Sequence, residues 1–410
     1  MTEFTRLLAG QFTADARALP ATVRRRLSEQ GRVERCVNVA DLRTLARRKL
    51  PRVVFDYVDG AAWDEVTSRR NQEDFAGLSL RPRFLVDVAE IDLSTTLLGR
   101  RLSLPIVGAP TGLTGLMHHR GELAVATELS AAGTIYTVST ASSYSLEQVA
   151  EAAPGAGWFQ LYVWRDRGLV RELLERARAA GYLALVVTVD VPRAGPRERD
   201  LRNRFTVPPR ISLRSCLEAV VRPRWSWNFV RRPGAARSNI SSQTGVMNAV
   251  AMAQLINDQL DPSVTWSDLE WFRDVWQGPF LVKGILRHDD ARRAVDLGAA
   301  GIVVSNHGGR QLDHALSAIR ALEPVVQEIG SEAEVILDGG VRRGTDIVKA
   351  IALGARACMV GRGLVYGLSA GGDAGVRRAV EILSNELRVA MALAGCPSVA
   401  SIDRTLVTAL

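Results

Sequence analysis

Cysteine is scarce in this chain, histidine nearly as scarce, and neither is grouped. The four cysteines (Cys36, Cys216, Cys358, Cys396) contain no Cys-x-x-Cys, and the five histidines offer no pair at metal-ligand spacing. A zinc site is therefore not expected, and the thiols read as reduced side chains of a cytoplasmic protein. No apolar run reaches the roughly 18 residues that a transmembrane helix requires. The N-terminus carries charges and lacks the continuous apolar stretch of a secretory signal. No Gly-x-Gly-x-x-Gly follows the first strand-like run and no Gly-Lys-Ser/Thr loop occurs, so dinucleotide-binding and P-loop folds lack their fingerprints. Nothing is low in complexity.

What is present is a core. With 410 residues, 47% of them hydrophobic, the chain can bury a large interior as one big domain or two. The net charge of +8 admits nucleic acid, a membrane surface or acidic substrates as partners, and the placement of the arginines has to choose among them.

Residues 1–38 form an Arg-rich arm, with helical character around 21–30, followed by helical spacing over 41–50 and 53–57 that stops at Gly60. The pattern then becomes regular. Apolar runs recur at Leu104–Pro110, Thr134–Ser139, Trp158–Val163, Leu183–Asp190, Phe280–Ile285, Gly301–His307, Glu334–Gly340 and Ala357–Gly363, most of them separated by amphipathic stretches such as Gly168–Ala180 and Thr345–Leu353. Eight strands alternating with helices predict an α/β fold, a (β/α)₈ TIM barrel, with a helical N-terminal extension and a long insertion after strand 4. A doubly wound sheet is the alternative.

Barrel chemistry sits at the C-terminal strand ends. In turn these ends carry Pro110-Thr111-Gly112, Ser139, Gln160 with Tyr162, Thr188 with Asp190, Lys283, Ser305 with His307, Asp338-Gly339-Gly340, and Gly361-Arg362. Turn formation alone favours Gly, Asn and Asp; Gln, Lys, His and Arg at one mouth point to a site. Within Ser305–Asp313, His307 and Arg310 flank Gly308-Gly309, setting a proton acceptor beside a fixed cation. The segment Gly339-Gly340-Val341-Arg342-Arg343-Gly344-Thr345 opens a helix and offers backbone N–H groups, a positive dipole end and Arg charge, which suits a phosphate.

The stretch from Val191 to Gly278 is too long for an ordinary loop. Residues 206–260 are read as a basic insertion. Its 206–246 part holds Arg210, Arg214, Arg222, Arg224, Arg231, Arg232 and Arg237 against the single acid Glu218, with Trp225, Trp227 and Phe229 among them. Arg and Trp around an apolar run make an interfacial membrane anchor; a flap over the barrel mouth and a base-stacking surface are the other readings.

These motifs are similar to those of the FMN-dependent L-2-hydroxy-acid dehydrogenases and oxidases. The resemblance runs from about Val39 to Ser401. It is carried by Ser305–Asp313, Trp158–Val163 and Asp338–Asp346, while Arg224-Trp225-Ser226-Trp227, Asn239–Thr244 and Asp261–Trp276 resemble the membrane-associated lactate and mandelate dehydrogenases. It implies His307 as catalytic base and Asp190 as the carboxylate that orients it. Arg310 and Arg197 would grip the substrate carboxylate, with Tyr57 and Tyr162 as phenols at the substrate and Lys283 as a cation beside the flavin. Pro110, Thr111, Gly112, Ser139, Gln160, Thr188 and Ser305 would line the flavin. Asp338, Gly339, Gly340, Arg342, Gly361 and Arg362 would hold its ribityl phosphate. Gly112 and Ala141 replace larger residues of glycolate oxidase and enlarge the pocket, which fits a dehydrogenase over an oxidase. The expected reaction oxidises an L-2-hydroxy acid, L-lactate first and (S)-mandelate second. Electrons would pass to a quinone or another carrier; O₂ as acceptor, or tailoring of a larger substrate, are the alternatives. Loss of the α-hydrogen as proton or as hydride fits these residues equally. A homotetramer is implied, as is peripheral attachment to the cytoplasmic face of the inner membrane, without nucleic acid.

Overall fold

The computed structural model describes residues 28–203, 218, 220–231 and 258–409. Two short pairings frame the barrel: β1 (Leu78–Leu80), which later meets the C-terminal strand Val407–Ala409, and the hairpin of β2 (Thr95–Leu97) and β3 (Arg100–Leu102). Eight parallel strands follow, β4 (Ile106–Gly108), β5 (Ile135–Ser139), β6 (Gly157–Tyr162), β7 (Leu185–Thr188), β8 (Phe280–Ile285), β9 (Gly301–Ser305), β10 (Glu334–Asp338) and β11 (Ala357–Val360). They close in chain order, β11 pairing back onto β4 through Cys358↔Ile106, Met359↔Val107 and Val360↔Gly108. The expected barrel is thus present, with strands two to four residues shorter than several of the apolar runs, because those runs continue past the ladder into the loops that build the mouth.

Burial on both faces is why these strands read as continuous apolar runs. One set of side chains, among them Val107, Ile135, Trp158, Val186, Leu281, Val303, Ile336 and Met359, fills the barrel interior, while the other packs under the helices. Leu97 and Leu102 of the hairpin join the interior cluster. Because the Leu98 N–H donates to the carboxylate of Glu334, the first residue of β10, at 2.6 Å, the hairpin plugs the N-terminal end and leaves the opposite mouth to the site.

Helices wrap the ring. Val39–Lys49 is capped by Asn38, whose Oδ1 accepts from the Asp41 N–H at 2.8 Å, a side-chain cap of the usual kind. It packs along the long C-terminal helix Arg362–Ala394, which breaks at Gly371 and Gly372. Most of the stretch expected to be helical, 21–30, lies outside the described residues; a short helix, Glu29–Glu34, begins at the N-cap Ser28. At the end of the arm, Val33 and Cys36 are buried in the main core. The long segment after β7 contributes the helix Glu198–Arg202 and, within the insertion, Pro223–Arg231 before the barrel helix Trp266–Trp276; residues 204–217, 219 and 232–257, including the Asn239–Thr244 motif, lie outside the described residues. Trp225 turns inward and donates from Nε1 to the Leu116 carbonyl at 2.9 Å, and Asn228 bonds His119 at 2.6 Å, so the Pro223–Arg231 helix is fastened to the loop after β4.

Candidate active site

The loops after the strands enclose a cleft of about 250 Å³ lined by Tyr57, Thr111, Tyr162, Arg197, Lys283, His307, Arg310 and Arg342 among others. Of the strand-end residues singled out in the sequence, all but Ser139, Gln160, Thr188, Asp190 and Ser305 line this cleft; Ser305 and Asp190 bond the lining residues Lys283 and His307, and Ser139 bonds Gln160.

His307 sits immediately beyond β9 with φ +58°, followed by Gly308 at +66° and Gly309 at +75°. A non-glycine residue in the left-handed region costs about 1–3 kcal/mol and is kept only where the surroundings impose it. Here they do. The His307 N–H donates to Ser305 Oγ at 3.0 Å, and Asn306 Oδ1 accepts from Gly309 N–H at 3.1 Å. Buried Asn306 and Asn71 exchange amide hydrogen bonds of 2.8 Å in both directions.

His307 Nδ1 lies 2.9 Å from Asp190 Oδ1. Burial alone would raise the Asp190 carboxyl, but the charge and hydrogen bond of His307, with Lys283, hold it below its ordinary value. An ionised carboxylate only accepts, so Nδ1 carries the hydrogen and Nε2 is left to receive a proton. Asp190 comes this close because β8 bulges between Lys283 and Ile285. At Gly284, φ is +108° and a Cβ would lie 2.7 Å from that of Asp190; the bulge and the missing side chain make the room.

Lys283 is buried and bonds Asp338 Oδ2 at 2.9 Å and Ser305 Oγ at 3.0 Å, while Ser305 Oγ donates to Asp338 at 2.7 Å. Burial pulls its ammonium down, but Asp338 and Asp190 more than offset this and keep it charged. Gln160 Oε1 accepts from Ser139 Oγ at 3.1 Å. Among the described residues, Gln160 Nε2 and Thr188 Oγ1 are buried with no hydrogen-bond partner. Orphaned polar atoms of this kind are costly unless something bonds them, and a flavin ring edge carries the donors and acceptors to do so.

The Gly339-Gly340 turn (φ +120° and +87°) runs so close to Asn71 that a Cβ on Gly340 would come within 1.8 Å of its carbonyl oxygen. Half-buried Arg342 lies over the Tyr366 ring, and desolvation lowers its guanidinium. Two of the backbone amides expected to be open at this helix start are instead used internally: the N–H groups of Arg342 and Arg343 both donate to Asp346 at 2.9 Å. Arg362 donates to the carbonyls of Val58, Gly60 and Gly308, so here it also ties the Tyr57 helix to the His307 turn. The cationic, glycine-lined corner fits a phosphate, and the residues present fit FMN.

Two more arginines meet over one ring. Arg310 and Arg197 lie 5.2 and 6.0 Å from the Tyr57 centroid. Arg310 donates to the Tyr57 and Gly60 carbonyls at 2.7 and 3.0 Å, and Arg197 pairs with Asp200 at 2.8 Å. Burial first, and then Arg197, push the Arg310 guanidinium down to about 10; the pair calls for an anion. The Tyr162 ring lies 6.3 Å from that of His307, and burial raises its phenol. Leu113, Met117, Ala141, Val191, Ala194 and Leu260 make the remaining wall apolar. A Cβ on Gly112 would stand 2.7 Å from that of Ala141, so the two small residues touch. Asn71, Asp200, Gly284 and Gln311 were given no role in the sequence: Asn71 and Gln311 act through long-range contacts, Asp200 through its i,i+3 pair with Arg197, and Gly284 through the bulge next to the end of β8.

The sequence matches the family of FMN-dependent dehydrogenases over residues 46–409. An L-lactate dehydrogenase of Caulobacter vibrioides is 44% identical over 374 residues, covering 90% of this chain and 97% of the relative. An L-lactate oxidase of Nostoc sp. is 46% identical over 371 residues, covering 90% and 96%. Among solved structures, a monotopic membrane (S)-mandelate dehydrogenase superposes with a TM-score of 0.88 at 40% identity, covering 92% of this chain and 100% of that one. With sequence, barrel and buried polar cleft in agreement, the chain belongs to the FMN-dependent dehydrogenase family.

Proposed function

We propose that His307, Asp190, Arg197, Arg310, Tyr57, Tyr162 and Lys283 carry out the FMN-dependent oxidation of an L-2-hydroxy acid to the 2-oxo acid, with L-lactate the first substrate and (S)-mandelate the second. The supporting observation is the pair of half-buried guanidiniums over Tyr57 beside an Asp-oriented imidazole. A carboxylate bound between Arg197 and Arg310 relieves their repulsion and is gripped by planar forks. That sets the hydroxyl-bearing carbon toward His307, whose Nε2 accepts a substrate proton while Asp190 stabilises the resulting imidazolium. FMN supplies the two-electron acceptor. Gln160, Thr188, Lys283 and Ser305 would hold its ring, with Pro110, Thr111, Gly112 and Ser139 alongside. Asp338, Gly339, Gly340, Arg342, Gly361 and Arg362 would hold its ribityl phosphate.

Electrons then pass to a quinone at a membrane surface. On the outer side of the fastened insertion helix, Trp227 is 63% and Val230 77% exposed, with Val220 and Val221 exposed just before it, an apolar edge set in a basic segment. No helix among the described residues is long and apolar enough to cross a membrane, so contact would be peripheral. The oxidase reading has its own support in the Nostoc relative.

Anaerobic flavin absorbance, before and after L-lactate and then (S)-mandelate, tests the reaction. One acid should bleach the flavin, and His307→Ala should abolish bleaching with flavin still bound. A yellow protein bleached by neither acid refutes the substrate class. Rapid re-oxidation by air would select the oxidase reading.

A further inference from the structure

We infer that Gln311 is a positioning residue that clasps the loop carrying Arg197 to the turn carrying His307 and Arg310, so that the two arginines meet the substrate carboxylate as one unit. The inference rests on the reading just given and names a residue to which that reading assigns no task. Gln311 is 9% exposed. Its Nε2 donates to the carbonyls of Asp190 and Arg193, both at 3.0 Å, and its Oε1 accepts from the Gly195 N–H at 2.9 Å. Two carbonyls face one end of the amide and an N–H faces the other, so only one orientation of the side chain satisfies all three. All three partners lie on the segment from Asp190 to Gly195, which joins the partner of the base to the residue gripping the carboxylate.

Backbone contact repeats the arrangement. A Cβ on Gly195 would stand 2.3 Å from the Arg310 carbonyl oxygen and 2.8 Å from Gln311 Cα. The two segments therefore touch at Gly195 with no side chain between them. Just beyond, Pro196 O accepts from Trp63 N–H at 3.1 Å, and Gly309 O accepts from Ala62 N–H at 2.9 Å, so both loops are also anchored to the segment after Tyr57. Gln311 thus supplies the side-chain link between Arg197 and Arg310. Its amide is fully engaged with backbone and is not available to the substrate, so its loss should weaken carboxylate binding more than chemistry.

The test uses the flavin-loaded enzyme and the hydroxy acid that bleaches it. Gln311→Met keeps length and burial and removes the three hydrogen bonds. Its KM, and the Kd of the corresponding 2-oxo acid, should both rise roughly 10- to 100-fold, with flavin content unchanged and flavin reduction at saturation slowed less than about 5-fold. Gly195→Ala, with Gln311 intact, should reproduce the rise by forcing the two segments apart. Gln311→Glu gives the distinguishing signature: its carboxylate cannot donate to the two carbonyls, whereas its protonated form can donate to one, so the ratio of variant to parent KM should fall as pH is lowered. The inference is overturned if KM and product Kd stay within about 2-fold of the parent in Gln311→Met. It is equally overturned if KM, kcat and flavin content deteriorate together, or if the Gln311→Glu ratio is flat with pH. A parent enzyme bleached by no hydroxy acid would instead remove the underlying reading.

Discussion

Replacing Asp190 by Asn keeps the shape of the side chain and the acceptor that faces His307 Nδ1 at 2.9 Å, and removes the charge. A hydrogen bond to a charged group is worth about 1.5–3 kcal/mol. If that stabilisation belongs to the imidazolium formed when His307 takes its proton, its loss lowers the rate of flavin reduction by about 10- to 150-fold at 1.36 kcal/mol per tenfold. Lys283 is affected too, since Asp190 is one of the two anions that keep its ammonium charged; part of the loss will therefore come from that side. The pH dependence has a definite sign. The Asp190 carboxyl is held below its ordinary value, so its contribution is complete above the ordinary carboxylate pKa of about 3.9 and is lost as pH falls through the lowered value. Anaerobic stopped-flow measurement at saturating hydroxy acid reads the reduction step directly. A Asp190→Asn enzyme that reduces its flavin at the parental rate at neutral pH, with flavin content matched, would show that the Asp190–His307 pair holds structure and does no chemistry.

Two further outcomes follow from the geometry. Gly340→Ala places a methyl 1.8 Å from the Asn71 carbonyl at a φ of +87°, and the purified protein should carry less than a tenth of the parental flavin per chain by absorbance; Gly99→Ala, also at positive φ but with open space around it, should keep its flavin. Asp59 is held at about 2 because its hydrogen bonds to Arg43 and Tyr366 outweigh the opposing effect of burial, which corresponds to stability on the order of 2 kcal/mol by linkage. Because the folded value is depressed, this stability is present above pH of about 4 and lost as pH falls toward 2. Thermal melts of parent and Asp59→Asn should therefore differ most at neutral pH and converge on acidification, and a constant gap would refute the assignment.

The barrel was legible because each of its strands is buried on both faces and ends in residues that a turn does not need. Lys283, His307 and Gln160 stand out at strand ends for that reason. Tyr57 does not: it lies on the helix Arg52–Asp59, ahead of the barrel, and its place in the cleft is settled by Arg310 reaching back to the carbonyls of Tyr57 and Gly60. Gly284 was invisible for another reason. A glycine inside an apolar run reads as a weak strand position, and only the register shift opposite Val303 and Val304 reveals that it admits Asp190. The helix start at Gly344 was read for its amides, but Asp346, two residues on, takes two of them, a local competition that composition does not disclose. In the insertion, the Arg/Trp content was plain, whereas the division of labour between inward Trp225 and outward Trp227 depends on the helix phase set by the loop after β4.

The pairing of β11 with β4 has a consequence for biosynthesis. A chain leaving the ribosome presents Ile106–Gly108 long before Ala357–Val360 has been made, so one edge of the growing sheet stays open throughout elongation. Thr111 and Gly361 line one cleft but become neighbours only when that edge is sealed. Flavin capture should accordingly be a late event that marks completed chains, and nascent chains halted before residue 357 should emerge colourless however much of the ring they have already assembled.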